Sequence, residues 1–90
     1  MNPQLREQLR ISLLRHLDAN ASHFGLSEPC LLQHIRADGL SLVSLPDVSA
    51  ELSYLEDKGL ARCALKILSP ELRAWQATAA GRDFFATLTA

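Results

Sequence analysis

The stretch Pro46-Asp47-Val48-Ser49-Ala50-Glu51-Leu52-Ser53-Tyr54-Leu55-Glu56-Asp57-Lys58-Gly59-Leu60-Ala61-Arg62-Cys63-Ala64-Leu65-Lys66-Ile67-Leu68 changes its apolar period at Gly59. Before the glycine, Val48, Leu52 and Leu55 recur at i, i+4 and i+7 and share one face of a helix running from about Pro46 to Lys58. After it, Cys63, Leu65 and Ile67 alternate with Arg62, Ala64 and Lys66, the period of a two-sided strand. Pro46 suits a first helical turn, where its missing N–H costs nothing, and Gly59 suits the left-handed position that closes a helix. A helix that stops at a glycine and feeds straight into a strand predicts a mixed α+β domain.

Downstream, Ser69-Pro70-Glu71-Leu72-Arg73 interrupts the strand, and Ala74 to Thr78 returns as its antiparallel partner. A hairpin over about 60–78 follows. Thr78 then caps a last helix, about Ala79 to Leu88, in spite of the helix-weakening Gly81. Upstream, Leu5, Leu9, Leu13 and Leu17 stand four apart in a first helix from about Pro3 to Ala19, with Ile11 and Leu14 on a further flank. That apolar surface is wider than the stripe needed to face one core, so a further partner on this helix is expected. Asn20 to Leu26 reads as a loop, and Ser27 as the N-cap of a second helix over about 28–38 that buries Leu31, Leu32 and Ile35 and closes at Gly39. Leu40 to Leu45 reads as a brief strand or an extended turn.

Ninety residues, 48% of them apolar, fit one domain over 1–90 with a single core. A net charge of −1 excludes a domain that holds nucleic acid by bulk charge alone, so any DNA contact must use local patches. Two cysteines, Cys30 and Cys63, form no C-x-x-C pair and are too few for a disulfide scaffold, which predicts a reducing, cytoplasmic setting. There is no apolar signal segment and no apolar run of membrane-spanning length, so neither secretion nor a membrane partner is expected.

Glu51 to Ala61, followed after the hairpin by Trp75-Gln76-Ala77-Thr78-Ala79-Ala80-Gly81-Arg82, resembles bacterial winged-helix regulators of the MarR, PadR and ArsR type. The likeness is strongest to short phage- or prophage-associated members, and it covers about Ser27 to Phe85. The resemblance implies a winged helix-turn-helix fold, mainly α with a small β-hairpin, and a dimeric transcription regulator that binds double-stranded DNA.

In that fold the helix at about 46–58 enters the major groove. With Val48, Leu52 and Leu55 turned inward, its outer face carries Pro46, Ala50, Ser53 and Asp57, flanked by Ser49, Asp47 and Tyr54. Ser49, Ala50 and Ser53 are the candidate base contacts, while Arg36, Arg62, Lys66 and Arg73 are candidate phosphate contacts. Against this, the face lacks Arg, Lys, Asn and Gln, and Asp47, Glu51, Glu56 and Asp57 carry the charge of phosphate. The competing expectation is a winged-helix module for protein contact, with itself as a homodimer or with another phage or bacterial protein. Leu5, Ile11 and Leu14 of the first helix and Phe84, Phe85 and Leu88 of the last are the candidate dimer surface.

Other chemistry is weakly supported. Cys30 and His34 stand four apart on one helix, as metal ligands often do, but His16, His23 or Cys63 would have to complete the set, and core packing is the commoner role; no metal or cofactor is expected. No nucleophile elbow, phosphate-binding glycine loop or H-E-x-x-H is present, so no catalytic residue is assigned. Trp75 and Tyr54 could stack on bases, yet a lone Trp opposite an apolar strand belongs more often to the core.

Overall fold

A computed structural model describes residues 2–20, 25–65 and 73–89. The elements run α1 (Pro3–Ala19), β1 (Leu26–Ser27), α2 (Glu28–Ala37), α3 (Leu45–Asp57), β2 (Ala61–Leu65), β3 (Ala74–Ala77) and α4 (Ala79–Thr89). Among the described residues, four helices pack with a small antiparallel sheet in the order β1-β3-β2.

Each helix starts where a polar side chain takes up a free backbone N–H. Asn2 Oδ1 accepts from Leu5 N at 2.7 Å ahead of Pro3, and Ser27 Oγ accepts from Cys30 N at 3.3 Å. At α3 the roles are reversed: the Ser44 N–H and hydroxyl both donate to Asp47 Oδ2, at 3.0 and 2.9 Å. The helix ends are equally local. Gly59 takes φ +76°, which lets Leu60 N reach Leu55 O at 2.9 Å and turns the chain into β2.

Leu9, Leu13 and Leu17 of α1, Leu31 and Ile35 of α2, and Val48, Leu52 and Leu55 of α3 form one core with Val43, Ala61 and Trp75. The surplus apolar flank of α1 finds its partner within the chain. Arg82 of α4 pairs with Asp18 at 3.5 Å, and Phe84 shares a cavity wall with Ile11 and Leu14. Leu14 is therefore 2% exposed, which corrects its assignment to a dimer surface: α3 and α4 already cover it.

One further expectation changes. Among the described residues the sheet has three strands rather than two, because Leu26 leaves the expected loop and Ser27, while still capping α2, pairs with it against Trp75 and Ala74. Gly25 permits this approach, since at φ +119° a Cβ there would stand 2.9 Å from Trp75 O. A two-residue strand carries no readable alternation. Of the two readings of the segment before α3, the turn is the one formed, over 40–44, with Val43 in the core and Leu42 92% exposed. Arg36 holds this turn by donating through Nε and Nη2 to Val43 O at 3.3 and 3.2 Å.

Gly81 has a specific reason. Thr78 Oγ1 accepts from Gly81 N at 3.0 Å and donates to Gly59 O at 2.6 Å, while Thr78 N reaches Leu60 O at 3.1 Å. This lays the first turn of α4 against the α3–β2 turn so closely that a Cβ on residue 81 would fall 1.9 Å from Leu60 O.

Candidate nucleic-acid interface

Amphipathic packing aims α3. With Val48, Leu52 and Leu55 buried, Pro46, Ala50, Ser53 and Asp57 are exposed and Ser49 is half-buried beside them. The outward face is thus short-chained and uncharged over its first two turns.

Two of the four acids expected to oppose phosphate are engaged inside the molecule. Asp47 belongs to the α3 start, and the Ser44 backbone N–H, with the Ser44 hydroxyl second, holds its carboxyl below the usual carboxylate range. Glu51 turns toward α1, where Arg10 Nε meets Oε2 at 2.6 Å and Arg6 Nε meets Oε1 at 3.4 Å. The hydrogen bond to Glu51 raises the Arg10 pKa above its ordinary value. The Arg10 guanidinium also lies 3.7 Å from the centre of the Tyr54 ring, so Tyr54 is occupied by a cation rather than offered to a base. Glu56 and Asp57 remain, both exposed, at the far end of α3.

The expected phosphate contacts are distributed over two elements. Arg36 is exposed, but its guanidinium is anchored on the α2–α3 turn through Val43 O. Arg62, exposed on β2, donates to Gln76 Oε1 across the sheet at 2.8 and 3.2 Å. Arg73 is half-buried immediately before β3, about three strand residues or roughly 10 Å from the Arg62–Gln76 pair. Lys66 and His23 lie outside the described residues. No protein-family model, curated protein or solved structure matches this chain. Function has therefore to rest on the chain's own geometry.

The remaining candidates sort by burial. Trp75 is 2% exposed and donates from Nε1 to Glu28 Oε2 at 3.1 Å, which makes it a core residue with a buried carboxylate partner. Phe84 and Leu88 are 43% and 44% exposed, Leu5 and Ile11 are half-buried, and Phe85 packs partly against the core. His16 stacks on His34 with ring centroids 4.7 Å apart, and its Nε2 stands 2.7 Å from Asp38 Oδ2. The Ser12 hydroxyl donates to the same oxygen at 2.7 Å, and this bond, with His16 second, lowers the Asp38 pKa. Among the described residues no three His, Cys, Asp or Glu side chains converge as a metal site requires, and no helix is long and apolar enough to cross a membrane.

Sequence reasoning missed the Arg6–Arg10–Glu51–Tyr54 assembly, the Glu28–Trp75 pair and the exposed Leu42. Only the i, i+4 spacing of Arg6 and Arg10 hinted at the first, and nothing in the sequence named Glu51 as their partner.

Proposed function

We propose that this chain is a winged helix-turn-helix protein that binds double-stranded DNA, with α3 entering the groove and the β2–β3 hairpin serving as the wing. The observation that carries the reading is the order α1-β1-α2-α3-β2-β3 with a β1-β3-β2 sheet and a tight turn between α2 and α3. Pairing of Glu51 with Arg6 and Arg10 supports it by compensating one carboxylate of α3, while Asp47, hydrogen-bonded to Ser44, keeps its charge at the helix start. In this reading Ser49, Ala50 and Ser53 touch base edges, and Arg36, Arg62 and Arg73 contact phosphates. The short side chains of α3 leave most of the affinity to phosphate contacts.

A second reading is favoured by one observation. The outward face of α3 offers no cation, whereas α4 exposes Phe84 and Leu88, as a module built for protein contact or homodimerisation would.

Fluorescence anisotropy with a random-sequence duplex at about 50 and 200 mM salt separates the two. DNA binding predicts affinity that falls steeply with salt and is lost in an Arg62→Glu, Arg73→Glu double variant that stays folded. Absence of binding at the lower salt sinks the DNA reading, and sedimentation in the same buffer then tests the homodimer.

A further inference from the structure

We propose that the stacked His16 and His34 rings form an acid-operated clasp between α1 and α2, which holds with one proton on the pair and opens when both rings are charged. The rings lie in the last turns of their helices, with centroids 4.7 Å apart and planes inclined by 24°. Stacked rings attract while at least one of them is neutral; two imidazolium cations at that separation repel.

The surrounding charges decide how many protons the stack can hold. Asp38, the C-cap residue of α2, presents Oδ2 to three donors of α1: the Ser12 hydroxyl at 2.7 Å, His16 Nε2 at 2.7 Å and Arg15 Nη1 at 3.3 Å. These bonds favour the ionised carboxylate, so His16 Nε2 is the donor, and charging that ring adds a proton at Nδ1. With both rings neutral, Arg15 and Asp38 cancel; one proton leaves the cluster at +1, and a second brings it to +2 against the same single carboxylate. His34 is half-buried, and among the described residues no carboxylate stands within ion-pair distance of it. Its neighbours offer no compensation: Arg36 is turned to Val43 O, Cys30 one turn earlier is a free thiol, and on the α4 side of α1 Asp18 is paired with Arg82.

Opening the clasp reaches α3. The Asp38 N–H donates to His34 O and Ile35 O, and the chain runs from Asp38 directly into the 40–44 turn that leads to α3. Acidification through the range in which histidine charges therefore frees the end of α2 and the approach to α3. This holds whether α3 meets DNA or protein.

An NMR titration of isotopically labelled protein from about pH 8 to about pH 5 tests the clasp. The His16 and His34 rings are expected to take up protons in two separate steps, with the amide signals of residues 40–43 moving at the second and their hydrogen-exchange protection falling by at least about tenfold there. His16→Gln or His34→Gln, either of which leaves a single ring to charge, should hold those amides still over the same range. His23→Gln should leave the transition in place. One shared step for both rings, or amides of 40–43 that do not follow the second step, overturns the proposal. So does a movement that persists in either of the first two variants, or one that is lost in His23→Gln, which would assign the transition to the third histidine.

Discussion

Gly81→Ala is expected to destabilise the protein, although glycine-to-alanine changes inside helices ordinarily stabilise by about 1 kcal/mol. Gly81 does not have a positive φ, so no backbone strain opposes the substitution; the opposition is steric. A Cβ would stand 1.9 Å from Leu60 O and 2.8 Å from Leu60 C, where a carbon–oxygen contact normally needs about 3.3 Å. The obstacle is backbone, so α4 and the Gly59–Leu60 turn must separate by more than an ångström. That movement breaks Thr78 N to Leu60 O at 3.1 Å and Thr78 Oγ1 to Gly59 O at 2.6 Å. Two hydrogen bonds at about 1 kcal/mol each, with roughly 1–3 kcal/mol for overpacking, outweigh the helix-propensity gain of about 1 kcal/mol and leave a net loss of about 2–4 kcal/mol. In a domain of this size the thermal midpoint should fall by roughly 10–30 °C, read by far-ultraviolet circular dichroism. A variant as stable as the parent would refute the close approach of α4 to the α3–β2 turn.

Trp75→Phe removes the N–H donor to a carboxylate that is 1% exposed, and should cost about 1–3 kcal/mol in urea unfolding; replacing Glu28 by Leu in the same chain should recover part of that loss. Asp38, lowered in pKa by Ser12 and His16, contributes stability that is present above the unfolded-state pKa near 3.8 and is lost as pH falls through the lower folded value. Thermal melts from neutral to strongly acid pH should accordingly show a shallower acid limb for Asp38→Asn than for the parent, and parallel limbs would rule out the coupling. If α4 carries a two-fold interface, Phe84→Glu with Leu88→Glu should turn a dimer into a monomer in sedimentation at micromolar protein without lowering the melting temperature of the monomer.

Periodicity revealed the helices because each is amphipathic and each starts or stops at a residue with one local job. The first helix, the Gly59 turn and the inward set Val48, Leu52 and Leu55 were all readable from neighbours within seven residues. Features that depend on distant residues were not. Glu51 reads as one more acid on a solvated helix until α1 brings Arg10 across a gap of 41 positions. Trp75 and Glu28 are separated by 47 positions, and the short β1 becomes a strand only because Gly25 lets it lie against Trp75. Leu14 reads as surplus surface for the same reason: the helix that covers it lies at the other end of the sequence. In α4, Gly81 reads as a weakness by propensity alone, and its necessity emerges only from the carbonyl of Leu60.

These long-range pairings also alter the charge balance on which the functional reading turns. In sequence, α3 presents an acidic face that opposes a duplex along its whole length. In the folded chain Glu51 is paired with two arginines, so the acids of α3 without an ion-pair partner stand at its two ends, Asp47 at the start and Glu56 and Asp57 at the finish. Ser49 and Asp57 are eight helical residues apart, about 12 Å, which exceeds the roughly 8 Å Debye length at physiological salt. A duplex approached by the first turns of α3 would meet Ser49 and Ala50 together with the positive end of the helix dipole, offset by the Asp47 carboxylate, and feel Asp57 largely screened; at Ser53, about 6 Å from Asp57, the screening is weaker. A side-on approach would bring Glu56 and Asp57 against phosphate and be repelled. With no bidentate base reader on that half, discrimination between sequences should be small, and affinity should rest on Arg36, Arg62 and Arg73 and rise steeply as salt is lowered. If the chain binds DNA, the acids of α3 restrict the approach a duplex can take.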